Sequence, residues 1–338
     1  MKKKVLIVLL ALCCITPAVF ARGKKAAAST SRTPSEGRVT IYTNVTGIDP
    51  LMDDLRAKTG IVGEFTRIST TQFLTTVFSE FEAGNLKADI IQAPIPVMER
   101  LRGNGLLATY TSPAAKSYPS WAKRENDGIY MYGIEYVSIL YNREFIGPDD
   151  VPKRYQDLAD PKWKDMIVMP DPSIHPTTIS WLVGLREHIF NNNEQRWRAF
   201  LQGLSANTPL FVSSFSDTPE VIENGERPLG ISVPKYIVTN APAPLDWARI
   251  EPVMGSPRAM AISAKAPHPT AARLFVDYWL SAQAGKILAE QVGEYVLSPG
   301  IFPPIDGMDK ARVIPIEELP DEDIARWGAE FQLIFNIN

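Results

Sequence analysis

RVTIYTNVTGIDPLMDDLRAKTGIVGEF, residues 38–65, sets two β-branched runs around a helical one. Arg38-Val39-Thr40-Ile41-Tyr42 predicts an opening strand. Leu51 and Leu55 with their neighbours predict a helix ending near Thr59-Gly60, and Ile61-Val62-Gly63-Glu64-Phe65 a second strand. The alternation continues outward from this stretch. Phe73, Leu74, Val77, Phe78 and Phe81 recur at helical spacing until Gly84, Ala88-Asp89-Ile90-Ile91 reads as a third strand, and Val97 to Leu101 as a helix before Gly105. Met166-Ile167-Val168-Met169, Leu210-Phe211-Val212 and Leu229-Gly230-Ile231-Ser232-Val233 predict further strands. Helices are expected from about Thr178 to Phe190, from about Glu194 to Leu204, and from Thr270 through Ala272, Leu274, Phe275, Tyr278 and Trp279. Strand alternating with helix argues for parallel α/β sheet. Roughly 300 residues exceed what one small core holds, so two α/β lobes are the economical arrangement.

The amino-terminal residues set the compartment. Lys2-Lys3-Lys4, an apolar run from Val5 to Ile15 and small residues up to Ala21 make residues 1–21 an export signal. The run is too short to span a bilayer. Cys13 and Cys14 both lie inside it, so the exported chain has no cysteine, no disulfide and no thiol chemistry, and depends on a large core. Leu10-Ala11-Leu12-Cys13 loosely matches a lipoprotein box, which makes a lipid anchor through Cys13 or Cys14 the alternative to a soluble periplasmic protein. Residues 22–38 are small, polar and basic and read as a flexible tether. Loss of Lys2, Lys3 and Lys4 takes the formal charge from −3 to −6, which argues against a nucleic-acid partner.

Polar residues concentrate where strands hand over to helices. Ser69-Thr70-Thr71 precedes the helix of Phe73, and Ser173-Ile174-His175-Pro176-Thr177-Thr178 precedes that of Leu182. Ser213-Ser214-Phe215-Ser216-Asp217-Thr218-Pro219 precedes a short helix through Val221. Unpaired N–H groups at a helix start, with hydroxyls nearby, form an anion site, although the same residues also serve as ordinary caps. Three such starts at the carboxyl ends of strands mark the place where α/β folds bind ligands. His188 reads as structural and His268 as a surface turn, while His175 alone sits in a candidate pocket segment. Trp181, Trp197, Trp247 and Trp279 read as core, with Trp181 also a candidate for stacking on a ligand ring. No nucleophile elbow, zinc-protease, P-loop or dinucleotide motif occurs, and nothing calls for an enzyme or a cofactor.

Three segments taken in order carry a family resemblance: Ala88-Asp89-Ile90-Ile91 with Met98-Glu99-Arg100-Leu101 and Gly105-Leu106-Leu107; Asp157 to Lys164 with Met169-Pro170-Asp171-Pro172; and His268-Pro269-Thr270-Ala271-Ala272 with Phe275 to Ser281. Together they resemble periplasmic solute-binding proteins of ABC importers, in the branch of ferric-iron, thiamine, phosphonate and sugar-phosphate binders. The resemblance implies the type II periplasmic-binding-protein fold: α/β, two-lobed, each lobe a mixed sheet flanked by helices, with the ligand cleft between lobes and closure by hinge motion. Lobe 1 is expected at 39–142 plus 256–303 and lobe 2 at 143–255 plus 304–338, with crossings in Tyr132 to Asn142 and near Val253.

The iron branch usually carries two adjacent tyrosines after the strand corresponding to Leu229–Val233, and here Lys235-Tyr236 stands there. Thr43-Asn44-Val45-Thr46 replaces a histidine often seen after the first strand, and Gln92-Ala93-Pro94 replaces an acidic ligand. A lysine repels ferric iron and suits an anion. The expected ligand is a small anion bearing phosphate or phosphonate, with thiamine phosphates as one example. The expected contacts are Thr43, Asn44, Ser69, Thr70, Thr71, Gln92, Ser173, His175, Thr177, Thr178, Ser213, Ser214, Lys235 and Tyr236. The expected partner is an ABC permease in the inner membrane, and the protein is expected to act as a monomer. The alternatives are Fe3+ as the transported ligand, with Tyr236 coordinating it, a subunit presenting ligand to a sensor kinase, and a periplasmic hydrolase.

Overall fold

The computed structural model describes residues 37–337 except 69, 125, 127 and 317. The expected signal and nearly all of the tether lie outside the described residues. Arg38, placed at the tether's end, already pairs with Val62 as the first residue of strand β1 (Arg38–Thr43).

The alternation read from the sequence gives the framework. After β1 come α1 (Asp49–Thr59), β2 (Val62–Arg67), α2 (Thr70–Glu82), β3 (Ile90–Pro94), α3 (Ile95–Gly103) and the short β4 (Leu107–Ala108) and β5 (Lys123–Arg124). Gly60 ends α1 with φ 76°, a left-handed turn that glycine adopts without a side-chain penalty. The long β6 (Ile129–Asn142) leads to β7 (Ile167–Pro170), α4 (Pro176–His188), α5 (Glu194–Ala206), β8 (Leu210–Val212), α6 (Thr218–Glu223), β9 (Leu229–Ser232), α7 (Lys235–Thr239) and β10 (Leu245–Trp247). A second long strand, β11 (Val253–Ser263), precedes α8 (Pro269–Trp279), α9 (Ala282–Val292), β12 (Tyr295–Val296), β13 (Val313–Pro315) and α10 (Asp321–Ile334).

The strand order is β2-β1-β3-β11-β6-β9-β7-β8. The strands around β1 and around β7 are parallel, as strand–helix alternation requires; the two long strands run antiparallel to their neighbours in this order, and β11 also takes β13 in parallel. The sheet is therefore mixed rather than parallel throughout. β6 pairs with β11 from Tyr130 to Val137 and with β9 from Ser138 to Tyr141, so one strand serves two sheet regions.

Trp181, Trp197, Trp247 and Trp279 are all buried. Trp181 packs edge-on against Tyr155 at 5.6 Å, which seals it in the core and removes it from any ligand-stacking role. His268 is not a simple surface turn. Its N–H donates to Asp89 Oδ1 at 2.6 Å and its Nδ1 lies 2.9 Å from Asp89 Oδ2. Asp89, fully buried, also accepts from Thr40 N–H at 2.8 Å and so ties β1 to the start of α8. Among the described residues no helix is long and apolar enough to cross a membrane.

Candidate functional site

The carboxyl end of β2, the middle of β6 and β11, and the starts of α4 and α7 surround a cavity of about 310 Å³. Its charged lining is Arg67, Lys235 and Arg258 against one carboxylate, Glu135. Asn44, Thr46, His175, Thr177, Ser213, Ser214, Ser216 and Tyr236 supply neutral polar groups.

Four charged side chains form a chain at its floor. Arg258 projects from β11, where only 6% of its side chain is exposed. Its Nη2 donates to Glu135 Oε1 at 2.7 Å and its Nε to Glu294 Oε2 at 3.0 Å. Lys235 Nζ lies 3.5 Å from Glu294 Oε1 and donates to Thr46 Oγ1 at 3.2 Å. Burial disfavours a charged Arg258, but Glu135 and Glu294 outweigh it and raise its pKa further. Burial likewise works against the Glu135 carboxylate, and Arg258 and Lys235 more than reverse it, so Glu135 stays ionised. Arg67 differs from the other two cations. It is exposed at the end of β2, and no carboxylate pairs with it among the described residues.

The start of α4 is capped by His175, whose Nδ1 accepts from Thr178 N–H at 3.3 Å. Burial lowers its pKa against the pull of Glu135, Asp217 and Asp171, so the imidazole is neutral and its ring proton sits on Nε2. Thr177 Oγ1 donates to the buried Glu318 at 2.7 Å. Burial raises Glu318 from the ordinary 4.5 to about 7, against the Thr177 hydrogen bond, with Glu135 adding to the rise. The serine turn is also internally engaged. Ser213 Oγ donates to Asp217 Oδ2 at 2.5 Å, and Ser214 reaches the same oxygen at 3.0 Å from both N and Oγ. These bonds outweigh partial burial and lower the Asp217 pKa. The hydroxyl protons expected to face an anion are directed at Asp217 instead, which leaves the oxygens' lone pairs for the cavity.

Of the residues singled out from sequence, Asn44, His175, Thr177, Ser213, Ser214, Lys235 and Tyr236 come together in the cavity lining. Thr43 and Gln92 do not line it. Both are fully buried in the sheet, Thr43 Oγ1 accepting from Val45 N–H at 3.0 Å and the Gln92 amide having no hydrogen bond among the described residues. Ser173 binds Asp171 Oδ1 through Oγ at 2.6 Å, and Thr178 is buried beneath His175, so both cap the chain rather than face the cavity. Ser69 lies outside the described residues. Thr70 opens α2 and Thr71 follows it. Lys235 is neither a surface lysine nor a free cation.

Sequence reading missed Arg67, Glu135, Arg258 and Glu294. Arg67 directly precedes the segment singled out at Ser69-Thr70-Thr71, which was the available signal. Glu135 and Arg258 sit in apolar strand sequences, where a lone charge marks a buried pair or a site.

To a ferric ion the described lining offers one carboxylate, Glu135, and one phenol, Tyr236. Among the described residues no cluster of three His, Cys, Asp or Glu side chains could hold a metal. Burial, then Glu135, pushes the Tyr236 phenol above its ordinary range.

The sequence pattern of the family described as bacterial extracellular solute-binding protein matches residues 85–319. A search of curated proteins finds no match. Among solved structures, the substrate-binding protein of an ABC transporter from Agrobacterium tumefaciens aligns over 88% of this chain and 95% of its own, with a TM-score of 0.73 and 14% identity. Iron-bound HitA from Pseudomonas aeruginosa gives 88% and 98%, 0.66 and 19%. The periplasmic binding protein P5PA gives 89% and 98%, 0.65 and 22%. These likenesses establish the type II periplasmic-binding-protein fold. The match over residues 85–319 makes the chain a member of the bacterial extracellular solute-binding family.

Proposed function

We propose that the protein is the exported substrate-binding component of an ABC importer. It captures a small organic anion, bearing phosphate or phosphonate, and hands it to an inner-membrane permease. The observation that carries this reading is Arg67, a guanidinium on the cavity with no carboxylate partner among the described residues. Lys235 and Arg258 are balanced by Glu135 and Glu294, so Arg67 sets the positive balance of the cavity. A guanidinium suits a phosphoryl group because its parallel N–H donors match two oxygens. In this reading lobe 1 comprises 39–142 plus 256–303 and lobe 2 comprises 143–255 plus 304–338. Arg67 and Arg258 then belong to the first lobe, and His175 and Lys235 to the second.

The test is native mass spectrometry of gently purified protein with elemental analysis for phosphorus and iron. A phosphorus-bearing adduct, weakened about 10- to 100-fold in affinity by Arg67→Ala, is expected, as for a lost charged hydrogen bond of about 1.5–3 kcal/mol. Stoichiometric iron without phosphorus defeats the reading.

A further inference from the structure

Glu135 is the feature of the cavity that a simple anion site does not need. Its Oε1 is taken by Arg258, but its Oε2 has no hydrogen-bond partner among the described residues. Glu294 Oε1 also lacks a hydrogen bond among the described residues, but Glu294 does not line the cavity. Glu294 is buried, one oxygen bound to Arg258 and the other facing the Lys235 ammonium. The Glu135 side chain keeps 21% of its surface exposed, and the residue lines the cavity. A carboxylate oxygen enclosed with a bound ligand is costly unless the ligand satisfies it, since a polar atom that loses water needs a hydrogen-bond partner in return.

The neighbouring polar groups reinforce that demand. Ser213 and Ser214 give their hydroxyl protons to Asp217, and Thr177 gives its proton to Glu318. What these oxygens offer a ligand is acceptor capacity. An inorganic anion beside Arg67 would leave Glu135 and the serine lone pairs unmatched, and would repel Glu135. The cavity of about 310 Å³ has room for an organic molecule that does both jobs.

Building on the anion reading, we infer that the ligand is dipolar: an anionic group meets Arg67, and a protonated nitrogen or N–H donor meets Glu135 Oε2. The ligand class is therefore aminated phosphate or phosphonate compounds rather than free phosphate or plain phosphate esters. Arg258 acts as a positioning residue, holding Glu135 ionised and turned to the cavity.

Matched pairs of probes test this by calorimetry on the whole protein. The pairs are O-phosphoethanolamine against ethyl phosphate, and 4-(aminomethyl)phenyl phosphate against 4-methylphenyl phosphate, with inorganic phosphate as reference. The aminated member of at least one pair is expected to bind tenfold or more tightly than its partner. Glu135→Gln should abolish that preference by weakening the aminated member and, with the repelling charge gone, strengthening the plain ester. Equal binding within each pair overturns the dipolar assignment and leaves the anion reading standing. If neither probe class nor phosphate binds at millimolar concentration, the anion reading fails and the inference with it. Because Glu135→Gln removes one of two carboxylates from Arg258, its melting curve is recorded alongside. The wild-type comparison decides the ligand class even if that variant does not fold, and a preference that survives in a folded variant rules out Glu135 as its source.

Discussion

Lys235 and Tyr236 show how a single position changes meaning once its surroundings are known. Read as sequence, the pair is a cation beside a surviving tyrosine. In the fold Lys235 is buried, its ammonium held between Thr46 and Glu294 and 5.7 Å from the Tyr236 ring centroid. No sequence window contains Glu294, 59 positions away, so the lysine's commitment could not be read locally. With no metal bound the Tyr236 phenol stays protonated, held so by burial and by Glu135, and can act as a hydrogen-bonding group. We expect Tyr236→Phe to weaken binding of a phosphorylated ligand by no more than about tenfold, the worth of one neutral hydrogen bond of ~1 kcal/mol. Addition of ferric ion to the wild type should produce no visible tyrosinate-to-iron absorption band. A strong band that disappears in Tyr236→Phe would restore the iron reading.

Elements were far more legible than contacts. The β-branched and apolar spacings located β1, β2, β7 and β8, and the helices α1, α2, α4 and α5, because each buries one face and the periodicity records which. The serine- and threonine-rich helix starts were also visible, but their hydrogen-bond targets were not. Asp217 and Asp171 turn two of them inward, and an Asp within the same segment is equally compatible with facing solvent. Close approach between elements is similarly hidden. Gly293 ends α9 with φ 74°, and a Cβ there would stand 2.7 Å from Lys235 O and 2.8 Å from Lys235 Cα on α7. Gly300 has nearly the same φ, 73°, with nothing within 4 Å of such a Cβ. Gly300→Ala should therefore lose only the left-handed backbone strain, about 1 kcal/mol. Gly293→Ala adds the clash and should lose roughly 2–3 kcal/mol in urea unfolding, with weaker ligand binding as α7 is displaced. Equal losses at the two positions would mean that α7 and α9 do not pack this closely.

At the scale of the whole molecule, the described fold carries two carboxylates, the half-buried Glu135 and the buried Glu318, that titrate in opposite senses, and stability should follow. Glu135 has its pKa lowered in the fold, so its contribution is present above the ordinary 4.5 and is lost as pH falls through the folded value. Glu318 is the reverse case. Its folded pKa is about 7 against an ordinary 4.5, so the folded state holds the proton more tightly than the unfolded chain does. Its contribution is fully present below pH 4.5 and is lost as pH rises through 7. The two together bound a stability optimum on the acid side by Glu135 and on the alkaline side by Glu318. Glu318→Gln keeps an oxygen to accept from Thr177 and has no proton to lose. Between pH 5 and pH 8 the variant's stability relative to wild type should therefore rise by about 2–3 kcal/mol, from 1.36 kcal/mol per pKa unit. Urea unfolding at several pH values measures this directly. Parallel profiles for the two proteins would place the Glu318 carboxyl in contact with water, outside the enclosed position between α4 and β11 that Thr177 and Ser256 mark.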